Sequence, residues 1–356
     1  METVGIIGIK GKEGKFLEQL FIDFGCNVIG SDIVDGPEIN ARNIEVVKKS
    51  DVVIFSVPPI EIVKVIKSLV EFGRSVQLWM DVASIKTAPV LAMLESRAEV
   101  VGLHPMCAPT TRSLRGQTLI VCPERLYRWH EWLDKFLSWT EAKIKRCSPE
   151  KHDQIMAIVQ GLIHAMQRTM ASTIRSLNIN VEETLSFASP VYRIALSLIG
   201  RILKQDAELY ADIQMLNPHM PKVLGQAALE LNELVETVVM QKKSEFVDKF
   251  ILDRDHFGPN VLDDAYGLFE ELSQLLADRG SEHQLVLNIR DNRPGLLAAI
   301  TGIFARAGVN LSSIHSFRTM DGIRFLVGLD CPKNSHMIKD ALAQMAERGL
   351  IKESVT

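Results

Sequence analysis

Trp79-Met80-Asp81-Val82-Ala83-Ser84-Ile85-Lys86 is an apolar run that ends in polar side chains, and Gly102-Leu103-His104-Pro105-Met106 repeats the pattern further along. Each reads as a buried strand whose C-terminal end delivers polar groups. In open α/β sheets, ligands bind just beyond the carboxyl ends of the strands, so Ser84 and His104 are expected to face one crevice. An imidazole titrates near neutrality, which suits His104 to take a proton from a hydroxyl. The competing reading is a histidine that only caps a strand before Pro105.

Towards the N-terminus, Val4-Gly5-Ile6-Ile7-Gly8 is a short apolar strand. Gly8, Gly11 and Gly14 follow at intervals of three, and Phe16, Leu17, Leu20, Phe21 and Phe24 then mark an amphipathic helix. Strand, glycine turn and helix are the parts that lay backbone N–H groups against a pyrophosphate. The usual spacing is GxGxxG; here it is GxxGxxG, with Ile9 and Lys10 in place of smaller residues. Lys10 and Lys12 either help hold phosphate or are ordinary exposed loop lysines. A second strand ends at Asp32, where an acid binds a ribose 2′-hydroxyl and repels a 2′-phosphate; no arginine follows it, so NAD is favoured over NADP. Ser50–Pro59 is a near-continuous apolar strand suited to the centre of a parallel sheet, with Val57 and Pro58 in the loop bordering the cofactor. Residues 1–146 are therefore expected to form a Rossmann-like, α/β nucleotide-binding domain.

From residue 147 to 278 the strand pattern stops. Residues 151–177, 182–215, 219–250 and 260–278 all show helical spacing, which predicts an all-helical domain supplying the substrate side of a cleft. Its long amphipathic helices offer more apolar face than one small bundle buries, so a homodimer is expected. His152 and His164 lie about 3.3 turns apart, on similar but not identical faces. A metal pair wants a spacing of three or four, so no metal site is expected; substrate contact and a buried hydrogen bond both remain open. Ser189-Pro190-Val191-Tyr192-Arg193-Ile194-Ala195-Leu196 sets an arginine in an apolar helical face. Either a protein carboxylate (Asp206, Glu208 or Asp212) or a ligand carboxylate pairs with it.

After a polar linker near Asp278–Glu282, residues 281–356 read as a compact βαββα module of the ferredoxin-like, α+β kind. The expected elements are strand His283–Ile289, helix Leu296–Ala307, strands Leu311–Thr319 and Ile323–Leu329, and helix Ser335–Arg348. Exposed N–H groups near Pro294-Gly295-Leu296 can hold a small carboxylate. The module carries no catalytic cluster and reads as a sensor or an assembly device.

The totals narrow the function classes. The 356 residues exceed one core. A net charge of −4 without a basic block argues against nucleic acid. No run approaches the ~20 apolar residues of a membrane span, and the N-terminus shows no leader, so a cytoplasmic protein is expected. Five scattered cysteines without CxxC spacing fit reduced thiols and no zinc site. Cys107, close to His104, is either a nucleophile or a small lining residue.

Five stretches in one order resemble prephenate dehydrogenases of the tyrosine pathway, in particular the dehydrogenase half of bifunctional chorismate mutase–prephenate dehydrogenases. They are Asp81–Lys86, Gly102–Met106, Glu150-Lys151-His152-Asp153-Gln154, Ser189–Arg193, and Ile199-Gly200-Arg201 continued by Gln205–Ile213. The likeness covers roughly residues 3 to 275. The tail, with Arg293-Pro294-Gly295-Leu296-Leu297 and Asn310–Ser316, resembles an ACT domain, an amino-acid-sensing module. The resemblance implies NAD-dependent oxidative decarboxylation of prephenate to 4-hydroxyphenylpyruvate. His104 would deprotonate the C4 hydroxyl, Ser84 would hold that hydroxyl, and Arg193 would clamp a carboxylate. Lys86, His152, His164 and Tyr210 would line the substrate side. The ACT module would bind an aromatic amino-acid effector through Asn292, Pro294, Gly295, Leu296 and Asn310. No chorismate mutase helices precede the glycine turn, so that activity is expected to be absent. The family loop His-Pro-Met-Phe-Gly-Pro reads His104-Pro105-Met106-Cys107-Ala108-Pro109 here, which keeps arogenate and 4-amino-4-deoxyprephenate as alternative substrates. A non-catalytic ligand sensor is the alternative of another class.

Overall fold

Continuous apolar runs separated by amphipathic helices give a sheet covered on both faces. In the computed structural model, which describes residues 1–108, 111, 113–252, 254–278, 281–289, 293–319 and 322–351, the first part runs β1 (Thr3–Ile7), α1 (Lys12–Phe24), β2 (Asn27–Ser31), α2 (Ile39–Lys49), β3 (Val52–Phe55), α3 (Pro59–Lys67), β4 (Leu78–Asp81), α4 (Thr87–Leu94), β5 (Glu99–Pro105), β6 (Thr118–Arg125), α5 (His130–Trp139) and β7 (Lys143–Arg146). The seven strands lie in the order β2-β1-β3-β4-β5-β6-β7. All pairings are parallel except β5 with β6, which is antiparallel. β6, α5 and β7 were not foreseen from sequence.

Every side chain of β3, β4 and β5 is buried, as strands sandwiched between helix layers require. One face packs on α1 and α5 through Phe16, Leu17, Phe21, Leu133 and Phe136, with Phe21 and Phe136 stacked at a 4.7 Å centroid distance. The other packs on α2, α3 and α4 through Val47, Ile62, Ile66, Val90 and Met93. The chain reverses direction in the sheet around β1, with β2 on one side and β3 on the other. That switch point is where such sheets open a ligand crevice.

The helices continue as α6 (Pro149–Met156), a π-helical turn (Ala157–Leu162), α7 (Ile163–Ser176), α8 (Val181–Ser186), α9 (Pro190–Leu203), α10 (Ala207–Leu216), α11 (Met220–Val239), α12 (Lys243–Val247) and α13 (Pro259–Asp278). The stretch expected as one helix over 182–215 is broken into three. Ser189 and Pro190 open α9, and Asp206 caps α10 by accepting from the N–H groups of Glu208 and Leu209.

Two compact units result. The first comprises Met1–Ile179 and Ser197–Phe250; the second comprises Asn180–Leu196 and Ile251–Thr356. Within the second, β8 (Gln284–Ile289), α14 (Leu296–Arg306), β9 (Leu311–Thr319), β10 (Gly322–Leu329) and α15 (His336–Glu347) form the βαββα module. Its antiparallel sheet has the order β8-β10-β9. Among the described residues, no helix is long and apolar enough to cross a membrane.

Candidate active site

Asp81 at the end of β4 lies in register with Gly102 on β5. Ser84 is half-buried just past β4, and His104 is a buried residue near the end of β5. Both therefore stand at the same edge of the sheet. Lys86 does not face a ligand as the sequence reading expected. Its ammonium is fully buried and paired with the equally buried Asp81. Gly102 leaves room for it, since a Cβ there would come within 2.8 Å of Lys86 Cδ. Burial pushes the Asp81 carboxyl up to about 6, against the opposing pull of Lys86.

Around His104 a chain of hydrogen bonds runs inward. The Asp153 carboxylate accepts from the backbone N–H groups of Lys86 (2.8 Å) and Thr87 (2.9 Å), and so caps α4. Burial alone would raise its pKa; the bonds from His152, Thr87 and Lys86 outweigh that and hold it below the ordinary carboxylate range. An ionised Asp153 only accepts, so His152 Nδ1–H donates to it across 2.9 Å. His152 Nε2 is then an acceptor and takes the Nδ1–H of His104, also at 2.9 Å. By this reasoning His104 Nε2 keeps its lone pair. Burial drives the His104 pKa well below its usual value, with His152 and Lys86 adding to the shift and Asp153 opposing it. Burial also lowers His152, with its bond to Asp153 working against the shift. Both shifts favour the neutral imidazole.

Beyond Nε2 lies the π turn. Its Gln160 places Nε2 3.4 Å from His104 Nε2, while its Oε1 is buried without a hydrogen-bond partner. Gln160, His164 and Arg168 recur every four residues along one side of the helix. His164 packs on Tyr210 with ring centroids 4.7 Å apart, and Arg168 lies over the Tyr210 ring at 5.3 Å. Burial, then Arg201 and Arg168, push the His164 pKa down to about 4. Its Nδ1 is also buried and unpartnered. Thus a polar, electropositive lining leads away from His104 through Gln160. Gln160, Arg168 and Arg201 were missed from sequence. For Arg201 the signal was present in Ile199-Gly200-Arg201, but it was given no role. Arg193, in the first turn of α9, belongs to the second unit.

The glycine turn follows β1 at the switch point. Gly8 has φ +93, and a Cβ there would meet Ser56 O at 2.2 Å; one on Gly14 would meet Gly8 O at 2.1 Å. Gly8 and Gly14 thus bring α1 hard against the strand ends, and the unusual spacing still forms the close-packed turn. Gly11 caps α1, whose N-terminal N–H groups suit a phosphate. Asp32 ends β2, accepting from Lys10 N at 2.9 Å and from Val34 N at 3.3 Å. Lys10 directs its ammonium to Asp35. Val57 and Pro58 follow β3 beside Ser56, whose buried Oγ lacks a partner. Glu13, in the first turn of α1, is pushed up to about 7 by burial. Burial likewise raises the Cys107 thiol, and Cys107 packs against the core beside α1; it behaves as a small lining residue.

In the βαββα module, Pro294 and Gly295 are exposed, and Gly295 takes the left-handed conformation (φ 83) that caps α14. The Leu296 side chain is buried in the module core, so only its backbone is open to a ligand. Asn310 donates to Asp330. Asn292 lies outside the described residues.

Residues 34–146 match the family model for the prephenate dehydrogenase nucleotide-binding domain, residues 148–251 that for the prephenate dehydrogenase dimerization domain, and residues 283–347 that for the ACT domain. The chain is 30% identical over 262 residues to a T-protein of Enterobacter agglomerans, covering 73% of this chain and 69% of that one. The chain belongs to the prephenate dehydrogenase family. It is also 38% identical over 280 residues to a probable arogenate/prephenate dehydrogenase of Methanocaldococcus jannaschii, covering 74% of this chain and 63% of the relative. The chain thus spans somewhat under two thirds of that relative's length. Among solved structures, prephenate dehydrogenase from A. aeolicus in complex with hydroxyphenyl propionate and NAD+ superimposes with a TM-score of 0.55 at 20% identity, covering 70% of this chain and 95% of that one. Synechocystis arogenate dehydrogenase does so at 0.54 and 18%, covering 72% and 99%. At such identities the likeness is one of fold.

Proposed function

We propose that the chain catalyses the NAD-dependent oxidative decarboxylation of prephenate to 4-hydroxyphenylpyruvate, with His104 as the base. The observation that carries this reading is the hydrogen-bonded chain Asp153–His152–His104, whose direction leaves His104 Nε2 as the acceptor. His104 takes the proton of the C4 hydroxyl, which Ser84 orients. Positive charge from Arg201 and Arg168, beside His164 and Tyr210, attracts substrate carboxylates, and the family resemblance makes Arg193 a further candidate clamp. Carbon dioxide leaves C1 as the ring becomes aromatic, and that gain in stability lets the protein act chiefly by positioning and by removing one proton.

NAD, when bound, supplies the acceptor for the hydride leaving C4. Gly8, Gly11 and Gly14 shape a phosphate cradle in which Gly8 and Gly14 leave no room for a side chain, and Val57 and Pro58 border it. Asp32 meets the ribose hydroxyls and disfavours a 2′-phosphate. NAD+ is also present in the A. aeolicus relative. The dimerization-domain match and the amphipathic helices support a homodimer. The ACT match supports an aromatic amino-acid effector held near Pro294, Gly295 and Asn310.

Initial rates of NADH formation test the proposal directly, with prephenate, arogenate and 4-amino-4-deoxyprephenate compared on the purified protein. The expected result is a clear preference for prephenate with NAD. Comparable rates on all three remove the substrate assignment, and no turnover on any favours the non-catalytic reading. His104→Asn is expected to abolish NADH formation while cofactor binding persists; unchanged turnover removes the base.

A further inference from the structure

Two thiols that the proposed chemistry does not use lie on the neighbouring strands beside its base. Cys122 is a fully buried residue of β6, and Cys147 is a half-buried residue immediately after β7. β6 and β7 pair in parallel with Val121 opposite Arg146. The next residue on each strand therefore brings Cys122 opposite Cys147, and the bond from Cys147 N to Val121 O (3.2 Å) continues the ladder. Neighbouring strands run about 4.8 Å apart, within the Cα separation that a disulfide spans. Their sulfurs already stand 3.9 Å apart. Both pack in a small cluster with Met106, Ile120 and Met156. That cluster touches the relay from two sides: Ile120 is the register partner of His104, and Met156 ends α6, which carries His152 and Asp153. Ser148, the next residue after Cys147, caps α6 by accepting from Lys151 N at 3.2 Å.

The geometry points to Cys122 and Cys147 as a reversible intrachain disulfide site, a redox clasp at the joint between the sheet and α6 that sets the position of the His152–Asp153 relay. The oxidant is a hydroperoxide. The half-buried Cys147, as thiolate, attacks a peroxide oxygen; the O–O bond breaks and water or an alcohol leaves once protonated. The sulfenic acid so formed is attacked by Cys122 sulfur; the S–O bond breaks, the S–S bond forms, and the Cys122 proton leaves with the hydroxide as water. Two thiols lose two electrons in all, and one peroxide gains them. Burial and the neighbouring Cys147 hold the Cys122 thiol far above its ordinary range, which makes Cys147 the attacking sulfur and Cys122 the resolving one. Closing 3.9 Å to a bond of about 2 Å draws the end of β7 inward, and with it the cap of α6.

This effect on the relay rests on the proposed reaction, but the bond itself does not. The purified full chain is treated with hydrogen peroxide, its remaining thiols are alkylated, and intact mass, cross-linked peptides and NADH formation are then measured before and after dithiothreitol. The expected result is a loss of two of the five thiols, a peptide joining Cys122 to Cys147, and turnover lower by about 10- to 100-fold that returns on reduction. Cys147→Ser and, separately, Cys122→Ala are expected to prevent both the cross-link and the reversible loss. No cross-link, a different pair, or Cys147 oxidised alone overturns the site. A cross-link that leaves turnover and the hydrogen exchange of residues 148–156 unchanged overturns its coupling to the relay. If the chain turns over none of the substrates, the cross-link and the exchange of that segment still decide the matter.

Discussion

At the scale of single residues, the Asp153–His152 chain fixes which nitrogen of His104 is left as an acceptor. Asp153 is held ionised by three donors, and each step outward from it has one consistent direction. Since His104 acts when neutral and its pKa is depressed, the acid limb of kcat/KM is expected below pH 6.5. Asp153→Asn removes the charge that raises the His104 pKa, so the acid limb moves lower still. Its amide can also donate to His152, which reverses the relay and protonates Nε2; turnover at pH 8 is expected to fall by about 100-fold or more. A pH–rate profile of both proteins checks the direction, and a limb that stays in place contradicts it. Lys86 tells the opposite story. The family resemblance put it on the substrate side, yet it is buried against Asp81, and Lys86→Met is expected to cost about 3–5 kcal/mol by stranding buried Asp81. Converting Asp81→Leu in the same protein is expected to recover much of that in urea unfolding.

At the scale of elements, the strand ends were legible because buried parallel strands leave unbroken apolar runs; Ser84, His104, Gly8 and Asp32 all fall where that pattern puts them. The partner of His104 was not legible. His152 lies 48 residues further on, and only the docking of α6 under β5 brings the rings together. The twelve-residue spacing of His152 and His164 misleads for a related reason: the π turn at Ala157–Leu162 inserts an extra residue, which turns Gln160 towards His104. Such bulges mark functional segments, and no local propensity announces them. Gly14 can be tested at this scale. Gly14→Ala drives a methyl into Gly8 O, so weaker NAD binding by at least 10-fold is expected in fluorescence titration, together with a lower melting temperature. Unchanged affinity removes the glycine turn from the cofactor site.

At the scale of the whole molecule, the βαββα module was readable almost to the residue, because alternating strands with glycine turns are local signals. The helical region was legible as helical but not in its breaks, and Phe187, Val191, Leu203, Val235, Val238 and Val239 are exposed in one chain, where a second copy is expected to cover them. Sedimentation at micromolar concentration is expected to show a dimer; a monomer alone contradicts the pairing. The compact units also interleave along the polypeptide, passing from first to second at Asn180, back at Ser197 and out again at Ile251. Neither can be released by one cut. A fragment stopped at Phe250 would keep Asn180–Leu196 while discarding the rest of the second unit. A boundary between the two units therefore has to be drawn through the chain three times, and a stretch of seventeen residues from the middle of the helical region goes with the second unit.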